Sequence, residues 1–485
     1  MRSTFTILTI CLLLAASCGK PSEPAEVLIV VDTNLPVPRV VSSMHFDFYK
    51  SDGTWFDSRT EDQLTADRFP LSFTLAGDQM QRANVMVRIR AFKRGSLRPY
   101  TGEQYRAWPD VVTSTTTGNG QPRLIKDGVD LTPAAEPMPE LTVDRLVNVT
   151  IAPNQRGKVV VVLDGSCVGR MAELAPAWAS CHSATELHVH EEAVKLDADM
   201  TLPTTSMVGS VGQSPCPPEP KSHDAPCIPG GAFILGPSPF STTQSLAQGR
   251  VVIVPTLRVS KTEVTVAQMR RAVKDDGFRA QGVMTGVTPM PTDPIYACTL
   301  TGDPGSREGF AVSCVGWVAA SAYCNFYGGD LPGEAEWEYV ATSSGRDEKT
   351  LYPWGDTPPS CNDAIYGRAP IGDIPGDCLA SGAGPIAIYD EVGTPLPTHD
   401  TTTQGILGLA GSLSEWTRDA ALPWDDPCWL NAPTVSPFCP IEGAQKIGVR
   451  GGAWAAPLVS LVASTRVSAP QDAINGVVGF RCVFH

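Results

Sequence analysis

Val315-Gly316-Trp317-Val318-Ala319-Ala320-Ser321-Ala322-Tyr323-Cys324 is followed closely by Leu331-Pro332-Gly333-Glu334-Ala335-Glu336-Trp337-Glu338-Tyr339. These two blocks carry the reading that decides the fold. Toward the N-terminus stand Lys261-Thr262-Glu263-Val264-Thr265 and, before it, Ile228-Pro229-Gly230-Gly231-Ala232-Phe233-Ile234-Leu235-Gly236. Thr265 can N-cap a helix over 266–273, because a threonine hydroxyl accepts from the unpaired N–H groups of a first turn. Toward the C-terminus come Tyr352-Pro353-Trp354-Gly355-Asp356 and Gly405-Ile406-Leu407-Gly408-Leu409-Ala410-Gly411-Ser412-Leu413-Ser414-Glu415-Trp416-Thr417. Arg450-Gly451-Gly452-Ala453-Trp454 and Gly479-Phe480-Arg481-Cys482 close the series. Each block alone is a weak signal; their fixed order over one half of the chain is specific.

Taken together the blocks resemble the sulfatase-modifying, or formylglycine-generating, enzyme family. Its patterns read V-S-W-x-x-A-x-x-Y-C, L-P-T-E-A-E-W-E-Y, Y-P-W-G, G-N-V-W-E-W-T, R-G-G-S-W and G-F-R-C. Asp330 departs from it, standing where the family has arginine. The resemblance implies a compact variant of the C-type lectin fold with little regular structure over 227–485. It also implies a disulfide between Cys324 and Cys482. Structural calcium is the next implication, with Gly408, Gly411, Leu413 and Glu415 as ligands and a second site near Asn362 and Asp363. Backbone carbonyls and a carboxylate suit that hard cation. Ser412 and Ser414 replace the family's Asn and Trp in this turn, and the alternative is that Glu415 pairs with a cation of the core. Trp416, Trp454 and Arg466 would lie near the family's substrate groove.

The family's enzymes hold copper through two cysteines that follow R-G-G-S-W as C-x-x-x-x-C. Here the segment reads Ala455-Ala456-Pro457-Leu458-Val459-Ser460-Leu461-Val462-Ala463-Ser464-Thr465-Arg466, without Cys, His or Met. Alkyl and hydroxyl groups do not serve Cu(I), which selects soft thiolates. No copper is expected. A related branch of the family binds iron through histidines of an added helical domain; the 7 histidines of this chain are scattered. Two readings follow: a non-catalytic module that binds a peptide, protein or glycan, or a diverged oxidoreductase acting on exported proteins.

The chain opens Met1-Arg2, then runs apolar from Phe5 to Ala16 before Ser17-Cys18. One positive charge, a short apolar run and small residues before a break read as a secretory signal over 1–17. Ala15-Ala16-Ser17-Cys18 resembles a bacterial lipobox, which makes Cys18 the lipidated first residue of a membrane-anchored lipoprotein. Several acyl chains bury enough methylenes for stable anchoring. Gly19 rather than Asp follows, which favours the outer membrane. Residues 18–26 form a polar tether.

The net charge of −14 argues against nucleic acid as partner, since phosphate binding needs a basic surface. A hydrophobic share of 42% supports sizeable cores, while 44 Gly and 43 Pro predict many turns and little long helix. Of 14 cysteines, Cys11 leaves with the signal and Cys18 takes the lipid. The rest fall as neighbours: Cys167 and Cys181, Cys216 and Cys227, Cys298 and Cys314, Cys361 and Cys378, Cys428 and Cys439, plus the distant Cys324 and Cys482. An even count in an exported chain reads as a disulfide framework, with neighbour pairing as the default and metal binding as the alternative.

Between tether and lectin-like half, strands are expected at 27–31, 40–49, 71–75, 84–92, 146–151 and 158–163, rich in β-branched and alternating apolar residues. They predict a β-sandwich-like domain over 27–194, with a disulfide-closed extension in which His188 and His190 form a solvated pair. The proline-dense stretch 195–226 reads as a linker. The overall expectation is an α+β chain, a sandwich followed by the lectin-like domain.

Overall fold

Period-two burial builds the N-terminal half. β1 (Glu26–Thr33), β2 (Ser43–Lys50), β3 (Trp55–Asp62), β4 (Leu71–Ala76), β5 (Ala83–Phe92), β6 (Thr142–Ile151) and β7 (Arg156–Leu163) form two sheets, ordered β7-β1-β4 and β6-β5-β2-β3. Every pairing is antiparallel except that of β1 with β7. Val27, Ile29 and Val31 alternate along β1 and share one core with Phe46, Phe48, Val87 and Ile89 of the other sheet. Alternation places every second side chain on the inner face, so the two sheets stack as a sandwich. All six expected strands are present. β3 is an addition to them, because Trp-Phe-Asp-Ser-Arg-Thr-Glu-Asp is mostly polar; it is an edge strand with largely exposed side chains.

The computed structural model describes residues 24–100, 123–221, 223–236, 249–279, 298–370, 374–388 and 399–485. The signal segment 1–17 and Cys18 lie outside the described residues. Among those described, no helix is long and apolar enough to cross a membrane.

The stretch 195–226 is not a free linker. Asp197 pairs with Lys158 backbone to backbone, the N–H of Met207 donates to Asp32, and that of Val211 donates to the Asn34 carbonyl. Val211 is buried in the sandwich core. Proline stiffens this strap while its apolar residues find burial on the sandwich. Composition alone reports the stiffness and not the docking.

The C-terminal half is built of short elements. β8 (Cys227–Ile228), β9 (Gly231–Leu235), β10 (Arg250–Val254) and β11 (Leu257–Val259) precede α1 (Val266–Lys274), α2 (Trp317–Phe326) and α3 (Glu334–Thr342). β12 (Ser414–Ala420), β13 (Lys446–Arg450), β14 (Val467–Pro470), β15 (Val478–Gly479) and β16 (Val483–Phe484) follow. β9 and β10 form a hairpin, β11 joins β8 to β16, and the third sheet runs β14-β13-β12-β15. Thr265 caps α1 as expected: its hydroxyl accepts from Gln268 N–H, and the Gln268 side chain accepts in return from Thr265 N–H.

Six disulfides close loops of very different size. Cys324 bonds Cys482 across 158 residues and ties α2 to the residue just before the last strand. The other five join sequence neighbours, as the default pairing expects. Cys167 bonds Cys181, closing the extension that follows the sandwich, and Cys216 bonds Cys227. Cys298 bonds Cys314, Cys361 bonds Cys378, and Cys428 bonds Cys439. Cys181, Cys314 and Cys378 are themselves buried, so these bonds anchor their loops in the interior. All twelve thiols being paired, none of them is left as a metal ligand, and the metal-binding alternative for these cysteines falls away.

The halves share a core. Ala232, Val251 and Ile253 of the β9-β10 hairpin pack among the sandwich residues. Arg39, buried at the same junction, donates to the carbonyls of Ala232, Ser343 and Arg346.

Candidate functional site

α3 is buried on every side, glutamates included. A helix hydrophobic all round is stable inside a core, but one carrying Glu334, Glu336 and Glu338 needs cations brought to it. The fold supplies them from distant segments. Arg466 holds Glu334 with Nε at 2.6 Å and Nη2 at 2.5 Å. Glu338 receives Lys349 Nζ at 2.6 Å and also Arg450. Glu336 accepts from Arg418 at 2.9 Å and from the Gly333 N–H at 2.7 Å. Asp419 accepts from the Glu334 and Cys439 N–H groups, and burial, reinforced by Glu334, pushes its carboxyl up to about 7.

A second centre forms around Arg481. Its Nε lies 2.9 and 2.7 Å from the two oxygens of Glu415, and Nη2 lies 2.6 Å from Oε1. The Trp337 indole donates to the same carboxylate at 2.8 Å. Arg481 Nη2 also reaches the carbonyls of Leu407 at 2.8 Å and Gly408 at 3.0 Å. Glu263 and Asp400 stand nearby, fully buried, with Glu263 Oε2 and Asp400 Oδ1 lacking hydrogen-bond partners. Burial, together with Glu415, pushes the Glu263 carboxyl up to about 8; burial pushes Asp400 up to about 7. Gly408 has φ +68°, and a Cβ there would lie 2.4 Å from Glu263 Oε2, so only glycine fits.

This arrangement bears on the calcium expected at the turn. Glu415 is taken up by Arg481 and Trp337, and the Gly408 carbonyl by the same guanidinium, so the set does not fit a calcium ion that needs Glu415. The cation it faces is the protein's own. Gly411 (φ +98°) and Leu413 lie on the same turn, Gly411 against the Ile365 backbone and Leu413 with its N–H toward Glu263. Elsewhere, Asp363 pairs with His399 and accepts from the Ser360 N–H, which holds its carboxyl below the usual range, while Asn362 is exposed.

The residues expected at a groove do not come together. Trp416 is fully buried and donates to the Val315 carbonyl at 2.9 Å. Trp454 is buried in a different cluster and donates to the Gly476 carbonyl at 3.0 Å. Both are packing residues, whose indole N–H groups find backbone acceptors inside the core. Arg466 is likewise engaged, its guanidinium 3.9 Å from the Trp424 ring centroid as well as on Glu334. His188 and His190 are exposed with their rings in contact at 5.4 Å, as the strand alternation implied.

The segment after Trp454 folds as a short 3-10 turn, Leu458–Leu461. Counted from the R-G-G-S-W resemblance, the C-x-x-x-x-C spacing puts the family's cysteine pair at Ala456 and Leu461 of this chain. Leu461 is fully buried with Tyr352, Tyr366 and Val462. The position has become part of an apolar core.

Several structuring residues escaped the sequence reading. Glu334, Glu338, Asp419 and Asp400 looked like ordinary acidic residues, since their partners Arg450, Arg466 and Arg481 are remote in sequence. One signal was present: α3 carries Glu at alternate positions among Ala, Trp, Tyr and Val, leaving no apolar stripe for a surface helix.

Residues 213–485 match the Sulfatase-modifying factor enzyme 1-like domain. A formylglycine-generating enzyme of Streptomyces coelicolor is 31% identical over 189 residues, covering 37% of this chain. The chain spans about half of that relative's length, 54%. An inactive C-alpha-formylglycine-generating enzyme 2 of Bos taurus is 33% identical over 284 residues, covering 53% of this chain and 86% of the bovine protein. Among solved structures, PvdO from Pseudomonas aeruginosa aligns over 53% of this chain and 92% of its own, at 17% identity and a TM-score of 0.39.

Proposed function

The chain belongs to the sulfatase-modifying factor enzyme 1-like family, and we propose that its domain serves as a non-catalytic, ligand- or protein-binding module. A lipid on Cys18 would display it from the cell envelope. A fold without its reactive groups does not carry its family's chemistry. The observation that carries the reading is the pair Ala456 and Leu461 at the thiolate positions, with Leu461 closed inside an apolar cluster. Copper(I) needs soft donors, and neither a methyl nor an isobutyl group is one. Similarity to an inactive member of the family from Bos taurus is consistent with this reading. The test is incubation of the purified chain with a C-x-P-x-R peptide, copper and reductant. No aldehyde above a heat-killed control is expected. Aldehyde formation would restore the oxidoreductase reading.

A further inference from the structure

The outer face of the four-stranded sheet carries polar side chains that the C-terminal domain does not use. Thr60, His45, Arg90 and Asp144 are successive cross-strand neighbours on β3, β2, β5 and β6. Beside this face Leu97–Pro99, which follow β5, pair with Ala135–Pro137, which precede β6. A cavity of about 530 Å³ remains beside it, lined by His45, Thr60, Asp62 and Arg94 and walled by apolar residues such as Leu97 and Pro133. Cavities of this size, with apolar walls and a few convergent polar groups, are the usual form of a small-molecule site.

The polar floor is fixed before any ligand arrives. Arg90 Nη2 lies 2.8 Å from Asp47 Oδ2, both side chains fully buried, so Asp47 is held as a carboxylate. Its other oxygen accepts from the Ser58 hydroxyl at 2.9 Å and lies 3.2 Å from His45 Nε2. The other ring nitrogen, Nδ1, lies 2.8 Å from Thr60 Oγ1. That contact holds Thr60 in place, and its hydroxyl, which can both donate and accept, keeps hydrogen-bonding capacity toward the cavity. Asp62 accepts from Ser43 Oγ at 2.6 Å through Oδ1, leaving Oδ2 as a second acceptor. Thr60 and Asp62 both suit the hydroxyls of a ligand. Arg94, exposed on the same cavity, has no ion pair among the described residues and suits a carboxylate. Leu97 and Pro133 offer apolar surface for the C–H face of a sugar ring.

We propose that this cavity binds a small sugar acid, with its hydroxyls on Thr60 and Asp62 and its carboxylate on Arg94. The proposal is independent of the reading of the C-terminal domain. The full chain is titrated calorimetrically with glucuronate, galacturonate and N-acetylneuraminate, and with neutral glucose in parallel. At least one acid should bind saturably, and at least about tenfold more tightly than glucose, as a charge-assisted pair requires. Arg94→Gln should erase that preference, and Thr60→Val should weaken the acid. Arg94 is exposed, so its variant should keep the wild-type melting temperature; Thr60→Val removes a partner of the buried His45, so a cooperative melting transition is the check that it folds. The proposal is overturned by no saturable binding of any of the three acids, by glucose binding as tightly, or by binding that both variants leave unchanged.

Discussion

Arg39 of the sandwich donates through Nε to the carbonyl of Ala232 on the β9-β10 hairpin, at 2.9 Å. The same side chain reaches the carbonyls of Ser343 and Arg346 just after α3. One cation therefore satisfies three acceptors of the C-terminal domain from a site on the N-terminal one. With Ala232, Val251 and Ile253 in the sandwich core, the contact ties the two domains thermodynamically.

The first prediction concerns that tie. Arg39→Ala leaves buried carbonyls unpaired, at a cost of roughly 2–4 kcal/mol. In chemical denaturation of the full chain, wild type should unfold in one transition and Arg39→Ala at lower denaturant. A midpoint within error of wild type would refute the role given to Arg39.

The second concerns pH. The Glu263 carboxyl lies at about 8 in the folded protein, against an ordinary 4.5. Such a group binds its proton more tightly folded than unfolded. Its stabilising contribution is thus complete below the unfolded value and is lost as pH rises from about 4.5 through about 8. Asp400, moved from 3.8 to about 7, acts in the same sense. Glu263→Gln keeps the shape without the ionisation, so it should flatten part of this decline and gain on wild type toward pH 8. Melting curves of both proteins across the range check it; parallel pH profiles would count against the assignment.

How much of this was legible in the sequence varies by feature. The six sandwich strands could be read because their apolar alternation matches the period of the pleat, and Thr265 because helix capping is local. The short-range disulfides, such as that of Cys298 with Cys314, are legible for the same reason: their partners are near in the chain. The Cys324–Cys482 bond came only with the family resemblance, since nothing short-range links α2 to the last strand. What could not be read is pairing at a distance. Glu415 as a calcium ligand and Glu415 as the partner of Arg481 have the same sequence, and only the fold brings Arg481 to within 2.6 Å. Trp416 and Trp454 look alike on a groove or in a core, and the fold closes both.

The third prediction addresses the N-terminus. Acylation at the lipobox-like Ala15-Ala16-Ser17-Cys18 would take place on the thiol of Cys18. Cys18→Ala should therefore lose metabolic labelling by palmitate and move from the detergent to the aqueous phase. A variant that stays labelled and detergent-bound would place the lipid elsewhere.

The fourth prediction tests whether the segment after Trp454 is now core rather than reactive site. A copper-binding thiolate must be reachable by a substrate, whereas Leu461 is fully buried against Tyr352, Tyr366 and Val462. Val459, two residues earlier, is exposed. Truncating a buried leucine removes its transfer free energy and leaves a cavity, so Leu461→Ala should cost roughly 2–5 kcal/mol. Val459→Ala, at the surface, should stay within about 0.5 kcal/mol of wild type. Equilibrium denaturation of the two variants separates the cases. If Leu461→Ala proved as mild as Val459→Ala, the side chain would not be the packed core element described, and the segment would be open enough to serve as a site.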